Sequence, residues 1–524
     1  MKVEEIPYHQ TKFFSKFVLD YISGAKSLKP FYNRTPNLEN FRAQITEKQK
    51  QTVNRELLVN TLSNQYTGFD TSSLVKQNIQ LIANQNTFTL ATGHQLCLFT
   101  GPLYFIYKII STLNLAETLK KTYPEFNFIP IYWMASEDND FEEVNHVHLF
   151  GKKLSWDQSQ KGAVGAIPTN TLAPVFEELK TVLGSSEEAK ELYNLLSTAY
   201  LSHKDLADAT RYLVNSLFSK YGLVILDSNT ISLKREAISL IKTDVLNQEN
   251  YPLIEQTNKE LPKAQAFARP INFFYQLKGT RNRIELKDQH YIVVNTDLAF
   301  TKAALELEIE NHPDRFSPNV LLRPLYKELI LPNLAMIGGS AELTYWMQLK
   351  STFLANGIVF PMLFLRNSVL VIDAKSASKL NNLGFSSQEL FDDEHSLHKS
   401  YVSRNAEKEI SVVKEMLQTE KLFEELLAKT EDKSLQKSIL SDKHKQINIL
   451  NKIEQKLIKS EKQKHQVKLA QISQIKNKLF PSNKLQERFD NIIPFYLQYG
   501  EDFIGRLKLN LDPLNSNFTI FKEE

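Results

Sequence analysis

The chain has 524 residues, 42% hydrophobic and 23% charged, a balance that belongs to folded globular chains and excludes disordered and fibrous ones. Its 63 basic and 60 acidic residues leave a formal charge of +3, too small to argue for a nucleic-acid or membrane surface, and neither partner is expected. The single cysteine, Cys97, excludes an internal disulfide, the start MKVEEIPYHQ lacks a signal-peptide pattern, and no apolar run approaches the ~20 residues of a membrane span, so a cytoplasmic location is expected.

The length suggests roughly three domains, or one large core with insertions. TFTLAT (87 to 92) is short, β-branched and followed by glycine, and reads as a buried strand. From Pro102, Leu103, Ile106, Ile110, Leu113 and Leu119 recur at helical spacing, and proline suits a first helical turn. FNFIPIYWMA (126 to 135) is the next strand, and the three elements make a βαβ unit with neighbouring parallel strands. Further strands are predicted at YGLVILDS (221 to 228), HYIVVNTD (290 to 297), IVFPMLFL (358 to 365) and SVLVIDA (368 to 374). The pattern predicts an α/β class, an open parallel sheet whose ligand site lies beyond the strand C-termini. Residues 151 to 200 read as an insertion and 278 to 286 as a basic loop and strand. From Phe385 through Phe480 there is neither glycine nor proline, which predicts long helices. Ile410, Val413, Leu417 and Leu427 mark one seam; Leu450, Ile453, Leu457 and then Ile472, Ile475, Leu479 mark another, with a slip across KSEKQKHQ. A helical hairpin turning near Thr430 to Lys433 is expected, its arms burying each other's seams. The resulting division is a core over 1–375, a coiled coil over 376–480 and a segment over 481–524 that returns to the core.

Three junctions carry candidate chemistry. In ATGHQLCLFTGP (91 to 102), Gly93 permits a sharp turn and Gly101 precedes a helix N-terminus that favours an anion, with His94 and Gln95 as added donors. No Walker or G-x-G-x-x-G pattern is present, and a plain turn with a helix cap is the alternative. Cys97, between two leucines and without a clear histidine partner, reads as a packed residue. The second junction places Glu137, Asp138 and Asp140 after a strand, where carboxylates hold an amine, bind a metal or act as a general base; helix capping is the alternative. His146 and His148 alternate and do not suggest zinc. In the third, Gly338 and Gly339 precede a helical segment bearing Glu342, Tyr345 and Trp346, with Arg323 upstream and Arg366 after the next strand. Core packing is the alternative for Tyr345 and Trp346.

Together, TGHQLCLFTGPLYFIYKI, YWMASEDNDFEEVNHV, SPNVLLRPLYKELILPNLAMIGGSAELTYW and LQERFDNIIPFYLQYGEDFI resemble the bacillithiol biosynthesis cysteine-adding enzyme family, BshC, over nearly the whole chain. The resemblance implies a Rossmann-like core related to nucleotidyltransferases, connecting-peptide insertions and a long α-helical coiled-coil arm that makes a homodimer. It implies joining of the L-cysteine carboxyl to the amine of glucosaminyl malate, with ATP or another nucleotide as the expected activator and metal dependence left open. Gly93, Gln95, Thr100, Gly101 and Pro102 match the family's pattern, as do Glu137, Asp138, Asp140, Arg323, Asn333, Gly338, Gly339 and Glu342. The chain departs from it at His94, where glutamine is common, and at Asn139, where histidine is common. A nucleotidyltransferase with another acceptor, or a dimeric scaffold with a vestigial pocket, are the alternatives.

Overall fold

A computed structural model describes residues 1–159, 161–406 and 411–524. Five parallel strands form the central sheet: β1 (Thr87–His94), β2 (Asn127–Met134), β3 (Val224–Asp227), β4 (Asn333–Gly338) and β5 (Met362–Leu365), in the spatial order β3-β2-β1-β4-β5. The strands are buried on both faces, which is why they read as continuous apolar runs and not as alternating ones. This is a Rossmann order, and it reverses between β1 and β4. A crevice therefore opens beyond the C-terminal ends of those two strands.

Three helices border that crevice: α1 (Tyr104–Thr122), α2 (Arg323–Ile330) and α3 (Ser340–Met347). Helix α1 follows β1 and buries thirteen of its residues, Lys108 among them. The β4 strand lies where the sequence pattern predicts none, because its apolar core, LAMI, is only four residues long. Conversely His290–Val293 is a strand but lies outside the parallel sheet. It belongs to a five-stranded antiparallel sheet with Phe273–Leu277, Thr280–Lys287, Ala299–Phe300 and Phe316–Pro318; the first four of its strands in chain order pair through short local connections that a parallel sheet does not allow, and Phe316–Pro318 returns to pair with Phe273–Leu277. Val369–Ile372 forms a third sheet with Lys2–Pro7 and Asn517–Lys522, joining both ends of the chain.

Residues 151–200 carry the helices Ala173–Leu183 and Glu187–Leu201. The arm begins after α4 (Glu394–Asn405) and consists of α5 (Val413–Leu427) and α6 (Lys433–Lys464), with the turn between them. Asp432 caps α6 by accepting from Ser434 N and Leu435 N. The expected mutual burial of the seams is only partial: Leu427 and Leu450 are half-buried, but Leu417 is 60% exposed and Ile453 42%, because two helices alone bury only a narrow stripe. Ile410 lies outside the described residues. The slip across KSEKQKHQ is a helix break at His465, and α7 (Gln466–Leu479) then turns Ile472, Ile475 and Leu479 onto the core beside α4. Among the described residues no helix is long and apolar enough to cross a membrane.

Candidate functional site

The crevice holds a cavity of about 470 Å³. Gly93, His94 and Gln95 line it from β1, Tyr104 and Lys108 from α1, Asp138, Asp140 and Glu143 from the segment after β2, and Arg323 and Lys327 from α2. Gly339, Glu342, Tyr345 and Trp346 line it from the start of α3, with Arg366 after β5 and Arg488 from the segment that follows the arm.

Arg323 and Lys327 share one face of α2 because they are four residues apart. Lys327 lies 4.5 Å from the centre of the Trp346 ring and 3.6 Å from the buried Glu328 carboxylate; burial pulls its pKa down. Arg323 lies 3.7 Å from Asp138, which also accepts from Asn139 N at 2.8 Å and Gln95 Nε2 at 3.3 Å. Burial works to raise the Asp138 pKa, but Arg323, Arg281 and these hydrogen bonds outweigh it and hold the carboxyl below the usual aspartate range. Asp138 is therefore an ionised acceptor at neutral pH. Gln95 also donates to Glu143 at 2.7 Å, so it bridges two carboxylates. Asn139 accepts from the buried Arg281 at 2.9 Å, a role its amide oxygen fills directly.

Lys108 ties the two halves of the crevice together. Its Nζ donates to Gly93 O at 2.8 Å and lies 2.5 Å from Glu342, whose carboxylate also accepts from Gly339 N at 2.9 Å. Gly338 is buried behind this group, and a Cβ there would meet Met336 Sδ at 2.8 Å and Glu342 Cβ at 3.1 Å, so the methionine would have to shift. Arg366 makes a two-pronged pair with Glu487, at 2.9 and 2.7 Å, and its own N–H donates to Gly338 O.

Several expected site residues are placed elsewhere. Glu137 lies under the cavity floor, in a buried ion pair with Lys234, which also donates to Phe316 O at 2.9 Å. Asn333 starts β4 at the opposite end of the sheet, where it donates to Glu328 and accepts from Thr89. Thr100 and Gly101 turn away from the cavity. Asn491 donates to Phe99 O and Gly101 O, and Leu103 N donates to Asp490 O, so the start of α1 is covered by the C-terminal segment. His94 reaches the cavity but is nearly buried and stacks on Phe105. Burial, then Lys108 and Arg366, hold its pKa well below normal. Cys97 does have a histidine neighbour, with Sγ 3.8 Å from His94 Nε2, yet burial, then Glu143, pushes the thiol up to about 12. A neutral thiol beside a neutral imidazole is no nucleophile.

Sequence reasoning did not single out Lys108, Lys327 or Arg488. The first two had a signal: Lys108 stands inside an apolar helical run, FIYKIIS, and Lys327 stands with its neighbour Glu328 inside another, PLYKELI. Burying such a side chain is costly unless it is paired.

Residues 1–367 match the family described as Bacillithiol biosynthesis BshC, N-terminal Rossmann-like domain, and residues 369–523 match Bacillithiol biosynthesis BshC, C-terminal coiled-coil domain. The chain belongs to the BshC family. Curated relatives named "Putative cysteine ligase BshC" include one from Flavobacterium psychrophilum, 42% identical over 529 residues that span 100% of both chains, and one from Flavobacterium johnsoniae, 43% identical over 526 residues and 99% of both. One from Bacillus anthracis is 26% identical over 528 residues and 97% of both chains. BshC membership places the chain among ligases, enzymes that form a bond, and gives its Rossmann-like core and coiled-coil region as family features.

Proposed function

We propose that this protein joins the carboxyl of L-cysteine to the free amine of glucosaminyl malate, giving bacillithiol, in the cytoplasm. The reading is carried by one observation beyond family membership. Ionised Asp138 stands beside Arg323 in a cavity whose mouth bears Asp140, so an amine and an anionic carboxyl group each have a complementary partner there.

Amide formation from a free carboxylate in water is uphill, and ATP or another nucleotide would supply the activation by esterifying the cysteine carboxyl, so that the C–O bond to the phosphoryl or adenylyl group breaks and that group leaves as the amide C–N bond forms. Arg323, Lys327 and Arg488 are the cavity cations that suit its phosphates. In this scheme Asp138, ionised and fixed by Arg323 and Gln95, orients the acceptor amine, and the exposed carboxylate of Asp140 at the open mouth takes the proton released on attack. Arg323 stabilises the negative charge that develops on the carbonyl oxygen. The exposed apolar residues of α5 and α6 suit a second copy of the chain, and we assign the homodimer contact to them.

A reconstituted assay with L-cysteine, glucosaminyl malate and a panel of nucleotides tests the reaction. Asp138→Asn and Asp140→Asn are each expected to lower kcat/KM by about 100-fold, and unchanged product formation in both would remove the acidic role. In cells, deletion of the gene is expected to abolish bacillithiol and to accumulate glucosaminyl malate. A normal thiol profile would favour a scaffold, and accumulation of a different amine would favour a nucleotidyltransferase with another acceptor.

A further inference from the structure

Arg366 is 3% exposed, and only one edge of its guanidinium is engaged. Nη1 donates to Glu487, Asn367 O and Ser368 Oγ, and Nη2 donates to Glu487. Nε–H is buried and has no hydrogen-bond partner among the described residues, and Nη2 carries a second N–H beyond the one given to Glu487. Buried donors are nearly always satisfied, so an unpartnered one on a residue that lines a cavity calls for an acceptor that arrives with a ligand. The position is defined by Gly339, where a Cβ would lie 4.0 Å from Arg366 Nε. Gly339 opens α3, whose first intrahelical bond runs from Leu343 N to Gly339 O at 3.0 Å. The N–H groups of Ser340 and Ala341 precede that bond, and both residues line the same cavity.

We propose that Arg366 Nε–H and the N–H groups that open α3 form a subsite for a substrate carboxylate, and that Glu487 is the positioning residue that aims it. The chemical class follows from charge. Arg366 is already matched by Glu487, and Lys108 by Glu342 at 2.5 Å, so the subsite has directed donors but no surplus formal positive charge. That suits a singly charged carboxylate better than a phosphate dianion. Glu487 holds the guanidinium in one plane through two parallel bonds, and it is itself fixed by Val369 N at 3.1 Å. The identity of the substrate rests on the proposed function; the subsite does not. Two carboxylate sources fit it, the malate end of the acceptor and L-cysteine.

Gly339→Ala tests the subsite without disturbing the fold. Its φ is −84°, and the added methyl would be in ordinary contact, 3.6 Å from Glu342 Oε2, while crowding the space in front of Arg366 Nε. In the full-length protein this variant is expected to melt as the wild type does and to raise KM for one carboxylate substrate by about tenfold, with a smaller change in kcat. The substrate affected names the source. Glu487→Gln is expected to shift the same KM, and millimolar methylguanidinium is expected to restore part of the activity of Arg366→Ala. Unchanged KM for both substrates in folded Gly339→Ala and Glu487→Gln, or a fall in kcat alone, would overturn the subsite. Calorimetry with L-malate, L-cysteine and inorganic phosphate keeps the two readings apart. If the wild type ligates nothing, the proposed function fails, while carboxylate binding that Gly339→Ala weakens about tenfold still upholds the subsite. Equal binding of phosphate, or carboxylate binding untouched by Gly339→Ala, overturns it.

Discussion

The junction after β1 and the junction after β4 are built from the same parts: a strand end, glycine, and a helix whose first N–H groups point back toward the sheet. At the first, residues 490 and 491 cover the helix end. Asp490 O takes the N–H of Leu103, and Asn491 grips the carbonyls of Phe99 and Gly101. At the second, the start of α3 stays open to the cavity and faces the unused donor of Arg366. A glycine-flanked helix start is therefore an anion site only where nothing in the chain has already taken its donors, and residues hundreds of positions away decide that.

The sharpest way to break the comparison is Gly101→Ala. Gly101 has a φ of +65°, and a Cβ there would lie 2.5 Å from Cys97 Cβ, so the substitution is expected to cost about 3 kcal/mol or more in a urea titration. A melt like that of the wild type would mean that the closed junction is held differently. Lys108→Met removes the brace between the two junctions. It leaves Gly93 O and Glu342 without their cation, and a loss of about 2 kcal/mol is expected by the same titration, with α3 displaced enough to impair ligation.

A smaller effect follows from Asp490. Burial, only partly offset by Lys478, pushes its carboxyl up to about 7. The folded state thus binds a proton more tightly than the unfolded chain, whose aspartates titrate near about 4. The stability this contributes is complete below about 4 and is lost as pH rises through about 7. Partial exposure reduces the effect to roughly 1 kcal/mol. Asp490→Asn is expected to flatten this slope in urea titrations between pH 5 and 8, and an identical slope in both proteins would remove Asp490 as its source. The smallest change in stability, within about 0.5 kcal/mol, is expected for Ile453→Glu with Leu457→Glu on the exposed face of the arm. The same pair is expected to convert a dimer to monomers in sedimentation; an unchanged dimer would put the contact elsewhere.

The sequence makes the parallel strands legible where an apolar run is long enough to be buried on both faces, as at 87 to 92 and 126 to 135. It does not show partner choice, and His290–Val293 therefore reads like a core strand although it pairs locally. At the site, Gly93, Gln95, Asp138, Asp140, Arg323, Gly339 and Arg366 do converge on one cavity. Glu137 and Asp138 are adjacent in sequence, yet one side chain points into the cavity and its neighbour into a buried ion pair. Neither that choice of side nor the covering of Gly101 by Asn491 is written in local spacing, because both depend on what packs from elsewhere.

The grip of Glu487 on Arg366 also sets an order of assembly during synthesis. When every strand of the parallel sheet has left the ribosome, Arg366 is present but its partner is not, for the whole arm must be translated before residues 487 to 491 emerge. Until then the guanidinium has no carboxylate to hold it and the α1 end has no cover. A product that terminates anywhere within the arm would contain every lining residue but Arg488 and would still lack Glu487, so Arg366 would be present without the carboxylate that holds its guanidinium.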